Sequence, residues 1–90
     1  MSFKILIIED ELTLQQTLKL NLELENYETE TCNSGANAIS IIKNFKPNLI
    51  LLDIMLPALG GIEIYKLLKD LNIIIPVIFL SWQISRRAID

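Results

Sequence analysis

The chain has 90 residues, enough for one small domain, with 51% apolar residues, 21% charged residues and a formal net charge of −3. Its only adjacent basic residues, Arg86-Arg87, are too few for a nucleic-acid surface, and no segment approaches the roughly 18 apolar residues of a membrane helix. One cysteine and no histidine exclude an internal disulfide, a histidine-based metal site and a Ser–His or Cys–His catalytic pair, and we expect a cytoplasmic location.

The N-terminal third predicts a strand, an amphipathic helix and a second strand. Residues 4–8 are a short aliphatic run bounded by charge, which suits a strand buried on both faces. A leucine then recurs every four residues with polar residues such as Gln15 between, which predicts a helix over roughly residues 11–25. Residues 27–32 alternate in polarity and are therefore expected to form an edge strand.

The same alternation continues to the end of the chain. Asn33-Ser34-Gly35 predicts a turn, and Lys46-Pro47-Asn48 is expected to end the second helix. Further aliphatic runs lead up to Asp53 and Ser81. The predicted elements are helix 36–44, strand 49–52, helix 62–71, strand 75–80 and the start of a fourth helix over 82–90.

Strands that alternate with helices predict an α/β fold with a parallel sheet and right-handed crossovers. No linker, internal repeat or low-complexity stretch divides the chain, so residues 1–90 are expected to form one unit.

Polar residues follow each buried strand at the point where the strand ends. Glu9 and Asp10 follow the first strand, Asp53 follows the third, and Ser81 follows the fourth. Ligands of doubly wound sheets bind at this edge, so neighbouring first and third strands would bring the three carboxylates into one pocket. Clustered carboxylates raise one another's pKa unless a cation intervenes, and Mg²⁺ prefers such oxygen ligands. A carboxylate is also a nucleophile towards phosphorus.

The acidic residues after the first strand also have simpler interpretations. Asp10 is equally well placed to cap the first helix, while Glu9 and Glu11 are compatible with solvated surface positions. The position of Asp53 favours a functional role, because this carboxylate directly follows four aliphatic residues. Cys32 is best explained as a small buried apolar residue.

Three segments together resemble the receiver domains of response regulators. Residues 4–11, Lys-Ile-Leu-Ile-Ile-Glu-Asp-Glu, are similar to the first strand and acidic cluster of that family. Asp53-Ile-Met-Leu-Pro57 with Gly61 is similar to the phosphoacceptor strand and its loop, and residues 76–81 are similar to the fourth strand with its hydroxyl residue. The resemblance spans the whole chain in register and implies a flavodoxin-like doubly wound sheet with strand order 2-1-3-4.

The resemblance also implies a role for each candidate site residue. Asp53 would accept a phosphoryl group from a sensor histidine kinase, and Ser81 would be the hydroxyl that shifts towards it. Glu9, Asp10, Asp53 and the backbone carbonyl of Met55 would hold Mg²⁺. The module would be a phosphoacceptor rather than an enzyme in the ordinary sense. The Asp53 loop is most similar to receivers attached to DNA-binding output domains, so an output domain or partner protein is expected.

Two features depart from the family pattern. Receivers have a fifth strand that ends in a lysine and a fifth helix, and this sequence ends before that βα unit of roughly 30 residues. One missing positive charge ~4 Å from the site is worth up to about 4 kcal/mol at an effective dielectric constant of 20, so slow, weak or absent phosphorylation is expected. Trp82 stands where receivers usually have a small residue, and it would either crowd the site or fill the space of the fifth strand.

These departures leave a second function open. The chain would then be a degenerate receiver that acts as a protein-interaction module without phosphorylation. With the fifth βα unit missing, the fourth strand would be an apolar edge, which predicts self-association. Phosphatases of the dehalogenase type are disfavoured because Met55 stands where they need a second aspartate. Nucleotide or flavin binding is disfavoured because acidic residues replace a glycine-rich loop after the first strand.

Overall fold

The computed structural model describes residues 2–56 and 59–80, which form a four-stranded sheet with helices on both faces. Predicted and observed elements agree in order, and their ends differ by at most two residues. Ser81 and the helix predicted over residues 82–90 lie outside the described residues. The elements are β1 (Lys4–Ile8), α1 (Leu12–Leu24), β2 (Glu28–Cys32), a 3₁₀ turn (Gly35–Asn37), α2 (Ala38–Phe45), β3 (Leu49–Asp53), α3 (Gly61–Asp70) and β4 (Val77–Leu80).

The sheet is parallel throughout and has the strand order β2-β1-β3-β4, which confirms the predicted order 2-1-3-4. The register aligns Ile8 with Cys32 on one side and with Leu52 on the other. Asp53, the last residue of β3, is aligned with Leu80 of β4. The carboxyl ends of the four strands therefore meet at one edge of the sheet.

Both faces of the central strands are buried, as the uninterrupted aliphatic runs predict. Side chains of β1 and β3 alternate between the faces, so each strand supplies two separate cores. One core lies beneath α2 and α3, and the other lies beneath α1. The first contains Leu6, Ile8, Ile50, Leu52, Ile42, Ile64 and Leu68, and the second contains Ile5, Ile7 and Leu51 with Leu18 and Leu22.

The described helices α1, α2 and α3 each end one or two residues before a residue in the left-handed region. Asn26, Lys46 and Asn72 have φ values of 70°, 54° and 57°. Asparagine tolerates this conformation, whereas Lys46 adopts it where its N–H bonds to the Ile42 carbonyl and closes the last turn of α2. Asn26 and Lys46 end α1 and α2 close to where the sequence predicts. Within residues 2–56 and 59–80, no helix has the length and apolar character needed to cross a bilayer.

Candidate functional site

Three carboxylates meet at the carboxyl edge of the sheet. Glu9 and Asp10 directly follow β1, and Asp53 ends the neighbouring strand β3. One oxygen from each of the three groups lies within 4.8 Å of the others. We call these three residues the acidic cluster. The structure therefore brings Glu9, Asp10 and Asp53 together, as the sequence predicts for neighbouring first and third strands.

Burial divides the acidic cluster into a closed side and an open side. Glu9 and Asp53 are both 0% exposed, whereas Asp10 is exposed. Charged groups without a water shell need compensating hydrogen bonds or a cation. The cluster is thus reached from solvent on the Asp10 side, and its other two carboxyl groups are enclosed by protein.

Backbone N–H groups hold the two buried carboxylates in place. The Met55 N–H donates to Asp53 Oδ1 at 2.9 Å, and the Glu11 N–H donates to Glu9 Oε2 at 2.9 Å. Both bonds span two residues, so each carboxylate is fixed by the turn that follows its own strand. The Met55 backbone consequently lies next to the acidic cluster. The resemblance to receiver domains implies a metal ligand at the backbone carbonyl of this residue.

Burial raises the pKa of the Asp53 carboxyl from its ordinary value of 3.8 to about 7. The Met55 N–H opposes this change, while the negative charge of Glu9 and hydrogen bonds with Glu9 and Asp10 raise the pKa further. Three carboxyl groups packed this closely repel one another when ionised. A hard divalent cation with oxygen ligands relieves that repulsion, so the donor set fits Mg²⁺.

The profile of the family described as the response regulator receiver domain matches residues 5–89 of this chain.

The chain belongs to this family.

Curated relatives of the receiver domain are longer than this chain. The alkaline phosphatase synthesis transcriptional regulatory protein PhoP of Bacillus subtilis is 38% identical over 81 residues, which are 90% of this chain and 34% of PhoP. Response regulator MprA of Mycobacterium tuberculosis is 28% identical over 81 residues, which are 90% of this chain and 35% of MprA. The chain therefore spans about a third of the length of the curated relatives it matches.

Solved structures of receiver domains share the fold. The receiver domain of the Francisella response regulator 1452 superposes with a TM-score of 0.83 at 33% identity, over 87% of this chain and 64% of that one. TrrA of Thermotoga maritima, solved in complex with Mg(2+)-BeF, gives a TM-score of 0.80 at 28% identity, over 88% of this chain and 68% of that one. These matches confirm the flavodoxin-like receiver fold and the place of this family in two-component signalling.

A glycine closes the loop between β3 and α3 of the receiver domain. The Gly61 N–H donates to the Ile54 carbonyl at 3.2 Å. A Cβ atom at Gly61 would lie 2.3 Å from the Asp53 carbonyl oxygen and 2.9 Å from the Ile54 Cα. Only a residue without a side chain fits, so Gly61 lets the start of α3 pack directly on the backbone that carries Asp53.

Glu11, and not Asp10, caps α1. The Glu11 carboxylate accepts hydrogen bonds from the N–H groups of Thr13 at 3.2 Å and Leu14 at 3.0 Å. These bonds satisfy two N–H groups that have no partner within the helix. The capping interpretation of Asp10 is therefore wrong, and so is the view of Glu11 as a merely solvated residue. Asp10 is left to the acidic cluster.

Sequence reasoning missed the burial of Gln15, which was grouped with the polar surface of the first helix. Gln15 is only 4% exposed, and its Nε2 donates to the Glu9 backbone carbonyl at 2.9 Å. Its position relative to Leu18 and Leu22, three and seven residues later, places it on the same helix face. That spacing is the signal by which the sequence would have identified it.

Of the remaining residues with predicted roles, Cys32 is described by the structure and Ser81 and Trp82 are not. Cys32 is 4% exposed, its thiol contacts the Ser34 carbonyl, and burial raises its pKa, all of which confirms a packing role. Ser81 and Trp82 lie outside the described residues, so their predicted roles stay predictions.

Proposed function

We propose that this receiver domain accepts a phosphoryl group on Asp53 from a phosphohistidine of a sensor histidine kinase. The observation that carries the proposal is the convergence of Glu9, Asp10 and Asp53, with oxygens within 4.8 Å of one another at the edge where sheets of this kind bind ligands. The domain acts as a phosphoacceptor module, and a cytoplasmic location belongs to the same proposal.

Asp53 supplies the nucleophile in this reaction. Its ionised carboxylate oxygen forms a new bond to phosphorus while the bond from phosphorus to the imidazole nitrogen of the donor breaks, and the imidazole leaves with a proton. The Met55 N–H, 2.9 Å from Asp53 Oδ1, orients the carboxylate for this step. Because the pKa of the buried carboxyl is raised to about 7, a nearby positive charge is needed to keep it ionised.

The ligands proposed for Mg²⁺ are the carboxylates of Glu9, Asp10 and Asp53 and the backbone carbonyl of Met55. When bound, Mg²⁺ would neutralise the carboxylates and screen the oxygens of the incoming phosphoryl group. Support comes from the buried, mutually repelling carboxyl groups and from the similarity to Thermotoga TrrA, which was solved with Mg(2+)-BeF.

Ser81 is proposed as the hydroxyl that contacts the phosphoryl group and moves towards it, so that phosphorylation changes the surface beyond β4. Leu80, the residue before it, is aligned with Asp53, and the Leu80 carbonyl accepts from the Ile54 N–H at 3.2 Å. This neighbourhood supports the assignment, because Ser81 directly follows the strand position beside the acceptor.

The rate of phosphorylation is expected to be low for the 90-residue chain, because the family's lysine has no evident substitute in it. Two of its lysines are engaged elsewhere, since Lys19 pairs with Glu23 at 3.1 Å and Lys4 donates to the Phe45 carbonyl at 3.2 Å. An output domain or a partner protein would receive the signal.

Self-association through β4 is a further part of the proposal. Among the described strands β4 lies at the edge of the sheet, and Ile78 in its centre is 52% exposed. Apolar edge strands pair readily with another chain. Light scattering over a range of concentrations tests this, and a clean monomer at high concentration would contradict it.

The central test is the intact mass of the protein after incubation with Mg²⁺ and a small acyl-phosphate donor, with Asp53→Asn as the matched variant. A single phosphoryl adduct on the unaltered chain, absent from Asp53→Asn, is the expected result. An adduct on both proteins would place the acceptor elsewhere. No adduct on either, with the fold confirmed by circular dichroism, would favour the interaction module that works without phosphorylation.

A further inference from the structure

Gln15 is the uncharged member of the small set of buried polar side chains in the described part of the chain. That set contains Glu9 and Asp53 of the acidic cluster and Gln15 of α1. A buried amide is unfavourable unless its hydrogen-bonding groups are satisfied. The Gln15 Nε2 donates to the Glu9 carbonyl at 2.9 Å, and its Oε1 accepts from the Gln16 side chain at 3.2 Å.

The Glu9 carbonyl occupies a special place in the chain, because it belongs to the peptide group that joins Glu9 to Asp10. The paired part of β1 ends one residue earlier, at Ile8. A peptide group is planar, so fixing the direction of its carbonyl fixes the Cα positions on both sides. A single bond from Gln15 therefore restrains the backbone of two of the three carboxylates at once.

Two other bonds complete the restraint on Glu9. Its N–H donates to the Cys32 carbonyl at 2.9 Å, and its carboxylate accepts from the Glu11 N–H at 2.9 Å. Of these three bonds, the one from Gln15 comes from another side chain, so it can be removed by a substitution that leaves Glu9 itself unchanged.

We propose that Gln15 is a positioning residue for the acidic cluster. By holding the peptide between Glu9 and Asp10, it keeps both carboxylates directed at Asp53 and so sets the affinity for Mg²⁺ and the readiness of Asp53 to accept a phosphoryl group. The part concerning Mg²⁺ and phosphoryl transfer rests on the proposed function. The part concerning the orientation of Glu9 rests on the hydrogen bonds alone.

The test compares Gln15→Met with Gln16→Met. Methionine keeps the length and the apolar stem of glutamine and removes the donor. Gln16 is exposed and donates to the Gln15 Oε1, a bond that water can replace, so Gln16→Met leaves the bond from the Gln15 Nε2 to the Glu9 carbonyl in place. Two quantities are measured on folded protein: the Mg²⁺ dissociation constant by calorimetry, and hydrogen exchange of the Glu11 amide, which is bonded to the Glu9 carboxylate. Groups that orient metal ligands typically change affinity by 10-fold or more, so we expect about 10-fold weaker Mg²⁺ binding in Gln15→Met.

The Glu11 amide of Gln15→Met is expected to exchange about 10-fold faster, while amides in the centre of β1 and β3 keep their exchange rates and Gln16→Met matches the unaltered chain. A purely structural role would lower overall stability without a selective change at Glu11 or in Mg²⁺ affinity, and that result would overturn the proposal. Gln15→Asn, which keeps the amide but withdraws it from the Glu9 carbonyl, is expected to behave like Gln15→Met and serves if that variant does not fold.

Failure of the proposed function is distinguishable from failure of this inference. If the unaltered chain binds no Mg²⁺, the proposed function fails, and exchange at the Glu11 amide alone decides the role of Gln15. Unchanged exchange in both Gln15 variants overturns the inference. Loss of the fold in both variants overturns it as well, because the residue would then be required by the whole domain rather than by the acidic cluster.

Discussion

A methyl group added at Gly61 is expected to disrupt the loop that follows β3. In Gly61→Ala the new Cβ would lie 2.3 Å from the Asp53 carbonyl oxygen, about 1 Å closer than an ordinary contact allows. The atoms it meets belong to the backbone of Asp53 and Ile54, which cannot turn aside as a flexible side chain would. Overpacking of this kind costs about 1–3 kcal/mol, and we expect the upper end, about 3 kcal/mol.

Gly60→Ala is the matched control, because the same methyl group one residue earlier meets a movable partner. Its Cβ would lie 3.2 Å from an oxygen of the Glu63 side chain, and the backbone φ of −69° suits alanine. We expect its free energy of unfolding to fall by no more than about 1 kcal/mol, since Gly60 is the N-cap of α3 and alanine is a poorer N-cap than glycine.

Urea titration followed by circular dichroism measures both variants. For a domain of this size, a loss of 3 kcal/mol corresponds to a fall in Tm of roughly 12–24 °C. The displaced Asp53 backbone should also weaken Mg²⁺ binding in whatever fraction of Gly61→Ala remains folded, whereas Gly60→Ala should bind normally. Equal stability of the two variants would refute the argument that α3 begins in direct contact with the Asp53 backbone.

Two further predictions concern the charges around the acidic cluster. The pKa of Asp53 is raised to about 7 in the folded chain, so the folded state binds more protons than the unfolded state between about pH 4 and 7, and metal-free stability should fall as pH rises through that range. A difference of about three in pKa sets an upper limit of about 4 kcal/mol, and we expect about 2 kcal/mol because the Asp10 side is open to solvent. Asp53→Asn should lack this decline in urea titrations across the range, and a parallel decline in both proteins would contradict the cause given. Glu11→Ala should lower the free energy of unfolding by about 1 kcal/mol, because it removes the N-cap of α1. Glu25→Ala, at the negative end of the same helix, should leave stability unchanged or raise it slightly. Thermal unfolding measures both variants, and equal losses of stability would contradict the role of Glu11 as a cap.

The fold was predictable because its signals are local. The aliphatic runs of β1 and β3 are buried on both faces, which fixes their place at the centre of a sheet, and the polar alternation of β2 fits an edge. Alternation of strands with helices leaves few topologies. The acidic cluster was predictable for the same reason, since each of its carboxylates stands at the end of a central strand or within two residues of it.

Of the details that sequence reasoning missed, the cap of α1 depends on distances between elements, and the local pattern of α1 gives only a weak signal for the burial of Gln15. Leu12, Leu20 and Leu24 are exposed at 66%, 59% and 69% while Gln15 on the same helix is buried, so the apolar residues of α1 do not mark its inner face reliably. Glu9, Asp10 and Glu11 form a run in which any member has the chemistry to cap a helix. Which of them does so is decided by where β1 ends and α1 begins in space.

These misses share a physical origin that also bears on how the acidic cluster works. A carboxylate at the end of a strand is easy to place in sequence, but a cluster of three that repel one another when ionised also depends on precisely placed hydrogen bonds and close packing. The Gln15 side chain donates one such hydrogen bond from α1, and the Met55 N–H donates another. Gly61 has no side chain and therefore lets the start of α3 lie against the Asp53 backbone. None of the three needs to be charged, so none stands out in a search for chemically reactive residues. The acidic cluster therefore depends on neutral groups from α1, the loop after β3 and the start of α3, and its affinity for a cation should respond to substitutions in each of them even where all three carboxylates are retained.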